Sequence, residues 1–181
     1  MRFERAPLDG AWVIDLEPNR DDRGSFSRSF CEREFAAHGL PIRFPQSNIS
    51  ANIHAGTLRG MHFNEPGFEE SKVVRCTRGA VYDVIIDLRR DSATYRRWFG
   101  VELDADGGRA VFVPEGFAHG FITLADNTDV SYQMGAFYEP QAALGVRWDD
   151  PAFDIEWPRR PEVISPRDAT YPDFEPTLIE R

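Results

Sequence analysis

Lysine is almost missing from this chain: Lys72 stands alone among 21 basic residues, so the other 20 are arginine. Codon bias in a GC-rich genome explains such a drift. Where it replaces lysine wherever arginine serves, the survivor marks a place that needs a compact ammonium. Cysteine is scarce as well: Cys31 and Cys76 lie far apart, which excludes a disulfide scaffold and shows no metal-ligand spacing. Positive charge is in deficit, and a net charge of -9 argues against a general nucleic-acid binder, although a pocket can still be locally positive. No stretch approaches the ~18 consecutive apolar residues of a membrane span. The opening Met1-Arg2-Phe3-Glu4-Arg5 carries no apolar run after its charges, unlike a secretory signal. These absences set the expectation of a cytoplasmic protein with neither membrane nor nucleic acid as partner. The chain nevertheless holds 41% hydrophobic and 13% aromatic residues, enough to bury one core in a single domain spanning residues 1–181.

Helical periodicity is also thin. Only Cys31–His38 reads as a short helix, with Gly39 as its stop. Val81–Leu88, Lys72–Cys76, Arg109–Val113, His119–Leu124 and Asp129–Met134 read as strands, punctuated by Gly, Pro, Asp and Asn. Many short strands without alternating helices predict an all-β sandwich or barrel. Period-two alternation then places Val130, Tyr132 and Met134 on one face, Lys72, Val74 and Cys76 on another, and His119 with Phe121 and Thr123. In Val81–Leu88, Tyr82, Val84, Ile86 and Leu88 share one face and Asp83 and Asp87 take the other. An inward lysine and an inward tyrosine need partners or a job. From Trp157 the chain is proline-rich and predicted to wrap the surface, with residues 175–181 loose.

Two segments carry candidate chemistry. In Gly56-Thr57-Leu58-Arg59-Gly60-Met61-His62-Phe63, strict alternation sends Arg59 and His62 to opposite faces, but a bulge at Gly60 brings both to one pocket. In Pro114-Glu115-Gly116-Phe117-Ala118-His119-Gly120, the Pro-x-Gly-x-x-His spacing matches the second half of the cupin barrel signature, whose histidine binds a metal. The first half, His-x-His with a glutamate, is lacking: Phe63 and Asn64 follow His62, and His54 is eight residues upstream. With His38 in the predicted helix, a transition-metal site is poorly supplied, so no metal and no other cofactor are expected while the barrel inference stands. Histidine suits proton abstraction near neutral pH. A fixed cation such as Lys72 makes the proton beside a ketone removable by stabilising the enolate oxygen. A tyrosine can return a proton from the other face, arginines match a diphosphate, and an exposed aromatic such as Tyr138 can stack on a base. Taken singly, each residue has an ordinary structural explanation: a surface ion pair for Arg59, plain core for Tyr132, a turn aromatic for Tyr138.

Taken in order, the segments resemble the dTDP-4-dehydrorhamnose 3,5-epimerase family. The matching strings are Asp22-Arg23-Gly24-Ser25-Phe26, Gln46-Ser47-Asn48, Leu58-Arg59-Gly60-Met61-His62, Lys72-Val73-Val74-Arg75, Val81-Tyr82-Asp83-Val84-Ile85-Ile86-Asp87-Leu88-Arg89, Pro114 to Phe121, Arg147-Trp148-Asp149-Asp150-Pro151 and Ile164-Ser165-Pro166-Arg167-Asp168. The resemblance implies a cupin-like jelly-roll barrel with short peripheral helices, a homodimer with residues 1–30 at its interface, and a nucleotide-sugar substrate. It implies His62 as proton acceptor, Asp168 as the carboxylate orienting it, Lys72 at the keto oxygen and Tyr132 as proton donor. Arg23, Gln46, Asn48, Arg59 and His119 match ligand-contacting positions and Tyr138 the base-stacking aromatic; Asp83, Arg167 and Arg28 complete the expected substrate-binding set. The reaction implied is epimerisation at C3, C5 or both of a nucleotide-linked 4-keto-6-deoxyhexose.

This chain departs from the family pattern at the nucleotide end. Arg28 stands near a usual glutamate, Ala143 and Leu144 stand where a glutamate precedes Gly145, and Gln133 replaces a lysine after Tyr132. The base, dTDP or GDP or another, therefore stays open at this stage, as do the inverted carbons. A 3-epimerase and a sugar-nucleotide binding cupin without catalysis are the alternatives, and retention of base, cation and donor together favours the enzyme.

Overall fold

Short runs of β-branched and aromatic residues fit a pleated surface, and the Gly, Pro and Asn between them turn the chain. The computed structural model describes residues 1–179, apart from the Leu178 side chain. The chain begins with β1 (Arg2–Arg5), β2 (Trp12–Asp15), β3 (Asn19–Asp21), β4 (Gly24–Phe26), α1 (Glu32–Ala37) and β5 (Gln46–Asn52). There follow β6 (Thr57–Asn64), β7 (Lys72–Arg78), β8 (Ala80–Asp87), β9 (Trp98–Asp104), β10 (Ala110–Val113), β11 (Phe117–Thr123) and β12 (Thr128–Met134). The last elements are β13 (Ala143–Gly145), β14 (Val163–Ile164) and α2 (Pro166–Ala169).

One sheet runs β1-β2-β10-β7-β12-β5 and the other β13-β6-β11-β8-β9, with β14 parallel to β6 and β3 paired to β4 as a separate hairpin. The two sheets face each other as a jelly roll. Val74, Cys76, Val111 and Val130 from the first meet Val81, Ile85, Leu103 and Phe121 from the second in the central core. Each sheet is covered on its outer face too. Phe35 of α1 packs with Leu40 on Ile14, Val73, Ala110 and Phe112. The C-terminal segment lays Val146, Phe153, Trp157 and Phe174 over Met61, Val84, Ile86 and Leu88. A strand buried on both faces shows no clean alternation, which is why every residue of β11 is buried. The two faces of β8 sort as alternation predicts: Val84 and Ile86 meet the outer layer, and Asp83 points to the barrel interior with Val81 and Ile85.

The helix falls where expected, with Cys31 and His38 as its caps and Gly39 at a positive φ of 71°. Pro176–Ile179 forms a 3-10 turn and Ile179 packs on the outer cluster, while Glu180 and Arg181 lie outside the described residues.

Gly60 is the position that bends the sheet. His119 pairs with His62 but Phe121 with Arg59, so Gly60 and Met61 together oppose Gly120. This is the anticipated bulge. Gly60 has a φ of 136°, and a Cβ there would sit 2.5 Å from the Gly120 Cα. Only glycine tolerates both. The extra residue turns Arg59 and His62 to the same side and drives Met61, fully buried, into the outer cluster.

Candidate active site

Between the sheets lies a cavity of about 280 Å³. Arg59 and His62 reach it from β6, His119 and Phe121 from β11, Lys72 from β7, Tyr132 and Met134 from β12, and Asn48, Ile49 and Ser50 from β5. The inward faces of β7, β11 and β12 are therefore the ones their alternation predicts. His62 and Tyr132 belong to opposing sheets, so they address the cavity from two sides.

The His62 Nε2 lies 2.9 Å from Asp168 Oδ1, and the Gly60 N–H donates to Asp168 Oδ2 at 3.2 Å. Asp168 is held in the first turn of α2, where its own N–H donates to Ser165 Oγ at 3.0 Å. Burial pushes its carboxyl up, but the hydrogen bond and charge of His62, with the Gly60 and Ser165 contacts, outweigh burial and hold it below the usual carboxylate range. An ionised Asp168 fixes the proton of a neutral His62 on Nε2 and leaves the lone pair on Nδ1. The ring of His62 packs edge-on to Tyr171 with centroids 6.1 Å apart, a neighbour that sequence spacing gave no means of finding.

A second histidine–aspartate pair lies deeper. His119 Nε2 is 2.8 Å from Asp83 Oδ2, and Asp83 is wholly buried with Oδ1 unpartnered. Burial pushes the Asp83 carboxyl up, and the nearby His119 and Lys72 only partly oppose it. Asp83, expected among the substrate contacts, stands behind His119 and not on the cavity wall. Tyr132 stacks edge-on against His119, centroids 5.9 Å apart. Burial, aided by Asp83 and opposed by Arg59, pushes its phenol well above the ordinary value, so it keeps its proton at neutral pH.

Lys72 is buried, and its Nζ is 3.1 Å from Glu70 Oε1. Glu70 escaped the sequence reading because it precedes the strand. Its spacing of two from Lys72 was the signal that could have placed both on one side. On the wall, Arg59 Nε donates to Asn52 Oδ1 at 2.8 Å, and Gln46 Nε2 to Asn48 Oδ1 at 3.2 Å. Arg167 lines an adjoining groove of about 370 Å³ that shares Arg59 and His62 with the cavity.

Arg23, Arg28 and Tyr138, all expected contacts, also lie off the cavity within this one chain. Arg23 sits in the β3–β4 hairpin, 89% exposed and paired with Asp21. Arg28 pairs with Glu34 of α1 at 2.8 Å. Tyr138 is exposed, its N–H donating to Gln46 Oε1 at 3.2 Å. Among the described residues, no group of three or more His, Cys, Asp or Glu side chains could hold a metal ion, and no helix is long and apolar enough to cross a membrane.

The family model described as dTDP-4-dehydrorhamnose 3,5-epimerase matches residues 5–176. A dTDP-4-dehydrorhamnose 3,5-epimerase from Methanothermobacter thermautotrophicus is 44% identical over 157 residues, 87% of this chain and 84% of the relative. A dTDP-4-dehydrorhamnose 3-epimerase from Streptomyces niveus is 39% identical, covering 93% of this chain and 81% of the relative. The crystal structure of dTDP-4-dehydrorhamnose 3,5-epimerase from Bacillus anthracis, with TDP and PPi bound, superposes with a TM-score of 0.92 at 36% identity, covering 96% of this chain and 99% of that one. On sequence and fold alike, over nearly the whole length, this chain belongs to the dTDP-4-dehydrorhamnose 3,5-epimerase family.

Proposed function

We propose that this protein is an isomerase that inverts carbons of a dTDP-linked 4-keto-6-deoxyhexose beside its keto group, without a cofactor. The observation that carries the reading is one cavity holding an oriented histidine on one sheet, a buried protonated phenol on the other, and the chain's single lysine beside the phenol. His62, with its lone pair on Nδ1, takes the proton from the carbon flanking the ketone. The pair of electrons moves into the carbonyl, and the Lys72 ammonium stabilises the enolate oxygen. Tyr132 returns a proton from the opposite side, which inverts the carbon. His62 and the Tyr132 phenolate then exchange with solvent before a second inversion. Arg59 and Arg167, on the shared groove, suit the diphosphate, and His119 and Asn48, the latter held by Gln46, suit the sugar.

The protein acts as a homodimer in this reading. Phe26, Ile49 and Ile53 are 77%, 74% and 70% exposed, and β5 is an uncovered sheet edge. The hairpin with Arg23 and Phe26 lies apart from the cavity of its own chain, and residues 1–30 meeting a second copy would bring it to the partner's site. A solution mass of one chain would refute this part.

The test is incubation in D2O with a dTDP-linked 4-keto-6-deoxyglucose, followed by NMR. Deuterium should enter C3 and C5. A relative named a 3-epimerase at 39% identity makes C3 alone the second outcome. Absence of exchange at both carbons sinks the proposal.

A further inference from the structure

Glu70 takes no part in the mechanism above, yet it is the one acidic side chain in ion-pair contact with Lys72 among the described residues. Both side chains are only 9% exposed, with Oε1 of Glu70 3.1 Å from the ammonium. The other oxygen, Oε2, is buried without a partner. A buried carboxylate with half its capacity unused is costly, so its retention needs a reason beyond closing the barrel. Its backbone is anchored: the Gly135 N–H at the end of β12 donates to Ser71 O at 2.8 Å, and β7 begins at the next residue. The carboxylate therefore approaches Lys72 from a fixed point at the head of its own strand.

We propose that Glu70 is the positioning residue for Lys72, the counter-charge that holds its ammonium in place and directed at the keto oxygen. The inference rests on the epimerase reading for its consequence, not for its geometry. The groups facing Lys72 give the reason. β8 presents Asp83, β11 His119, β12 Tyr132, and β6 Arg59 and His62. Asp83 is shared with His119 and Tyr132 is a protonated phenol, which leaves Glu70 as the counter-charge belonging to the lysine. A buried ammonium without a counter-charge gives up its proton more readily. It could then neither polarise the ketone nor steady the enolate. Paired with Glu70 on one side, the ammonium still has N–H donors for the substrate oxygen.

The single lysine makes the test direct. Protein grown on lysine enriched in 13C at Cε yields one side-chain signal, whose shift titrates with the ammonium. Glu70→Gln should lower that midpoint by at least about one pH unit, and Glu70→Asp should fall between it and wild type. Under the same conditions kcat should drop on the alkaline side while KM stays within about twofold, because a positioning residue acts on the transition state. Equal midpoints across the three proteins overturn the proposal. So does a shifted midpoint with an unchanged pH profile of kcat. If Glu70→Gln does not fold, Glu70→Asp alone decides, since moving the carboxylate back by one methylene must still lower the midpoint. The NMR titration needs no turnover, so a failed epimerase assay and a failed role for Glu70 give different results.

Discussion

Replacing Asp168 by Asn tests whether His62 is a base because of how it is held. Asp168 accepts two hydrogen bonds, from His62 Nε2 at 2.9 Å and from the Gly60 N–H at 3.2 Å. The Gly60 donor is backbone and cannot change. An asparagine must therefore turn its oxygen to Gly60 and its NH2 to His62. Nε2 then has to accept, the ring proton moves to Nδ1, and the nitrogen proposed to take the substrate proton is blocked. The reverse rotamer opposes two N–H groups at Gly60, at about 1–3 kcal/mol. A comparable carboxylate-to-amide change beside a catalytic histidine costs about 10⁴-fold, or roughly 5 kcal/mol at ~1.36 kcal/mol per decade. We expect kcat for deuterium incorporation to fall by that order with KM nearly unchanged. The stability effect has a defined sign. The Asp168 carboxyl is held low in the folded state, so its contribution is present above the unfolded carboxylate value of about 3.9 and fades as pH falls through the folded one. The gap in Tm between wild type and Asp168→Asn should thus be widest near neutral pH and close in acid. A variant that exchanges deuterium within about tenfold of wild type would falsify the orientation argument.

Two further substitutions probe the donor and the bulge. Tyr132→Phe removes the opposite-side proton while leaving His62 in place, so C3 and C5 should still wash in deuterium from one face without net inversion; inversion at the wild-type rate would remove Tyr132 from the mechanism. Gly60→Ala puts a Cβ 2.5 Å from the Gly120 Cα at a φ of 136°. It should cost about 3 kcal/mol in stability and at least about 10²-fold in kcat by displacing Arg59 and His62. Calorimetry and the exchange assay read the two effects, and an alanine tolerated in both would mean that the bulge is not what gathers the site.

Much of the site was legible before any coordinates. Alternation in three strands pointed Lys72, His119 and Tyr132 inward, and the lone lysine drew notice because arginine had replaced all others. Gly60 marked the bulge. Alternation also separated the apolar face of β8 from Asp83 and Asp87, but it could not say which face turns inward, because the C-terminal segment covers the outer side of that sheet and makes the outer face the apolar one. Burial on the far side of a strand depends on chain distant in sequence, such as Phe153 and Phe174, and local patterning cannot register it. Glu70 and Tyr171 went unseen for a related reason. One precedes its strand, and the other comes from the tail into contact with His62.

What the residues determined by themselves is a β barrel with a histidine, a lysine and a tyrosine directed inward, since period two and a glycine bulge are local properties of the chain. What only the tertiary structure decided is how those groups are paired. Asp168 lies 106 residues from His62, and Asp83 lies 36 from His119. Which carboxylate meets which imidazole depends on strand register and on where α2 docks. Those contacts push the Asp168 carboxyl down and the Asp83 carboxyl up, because burial and a neighbouring charge act through distances that exist only once the sheets have closed.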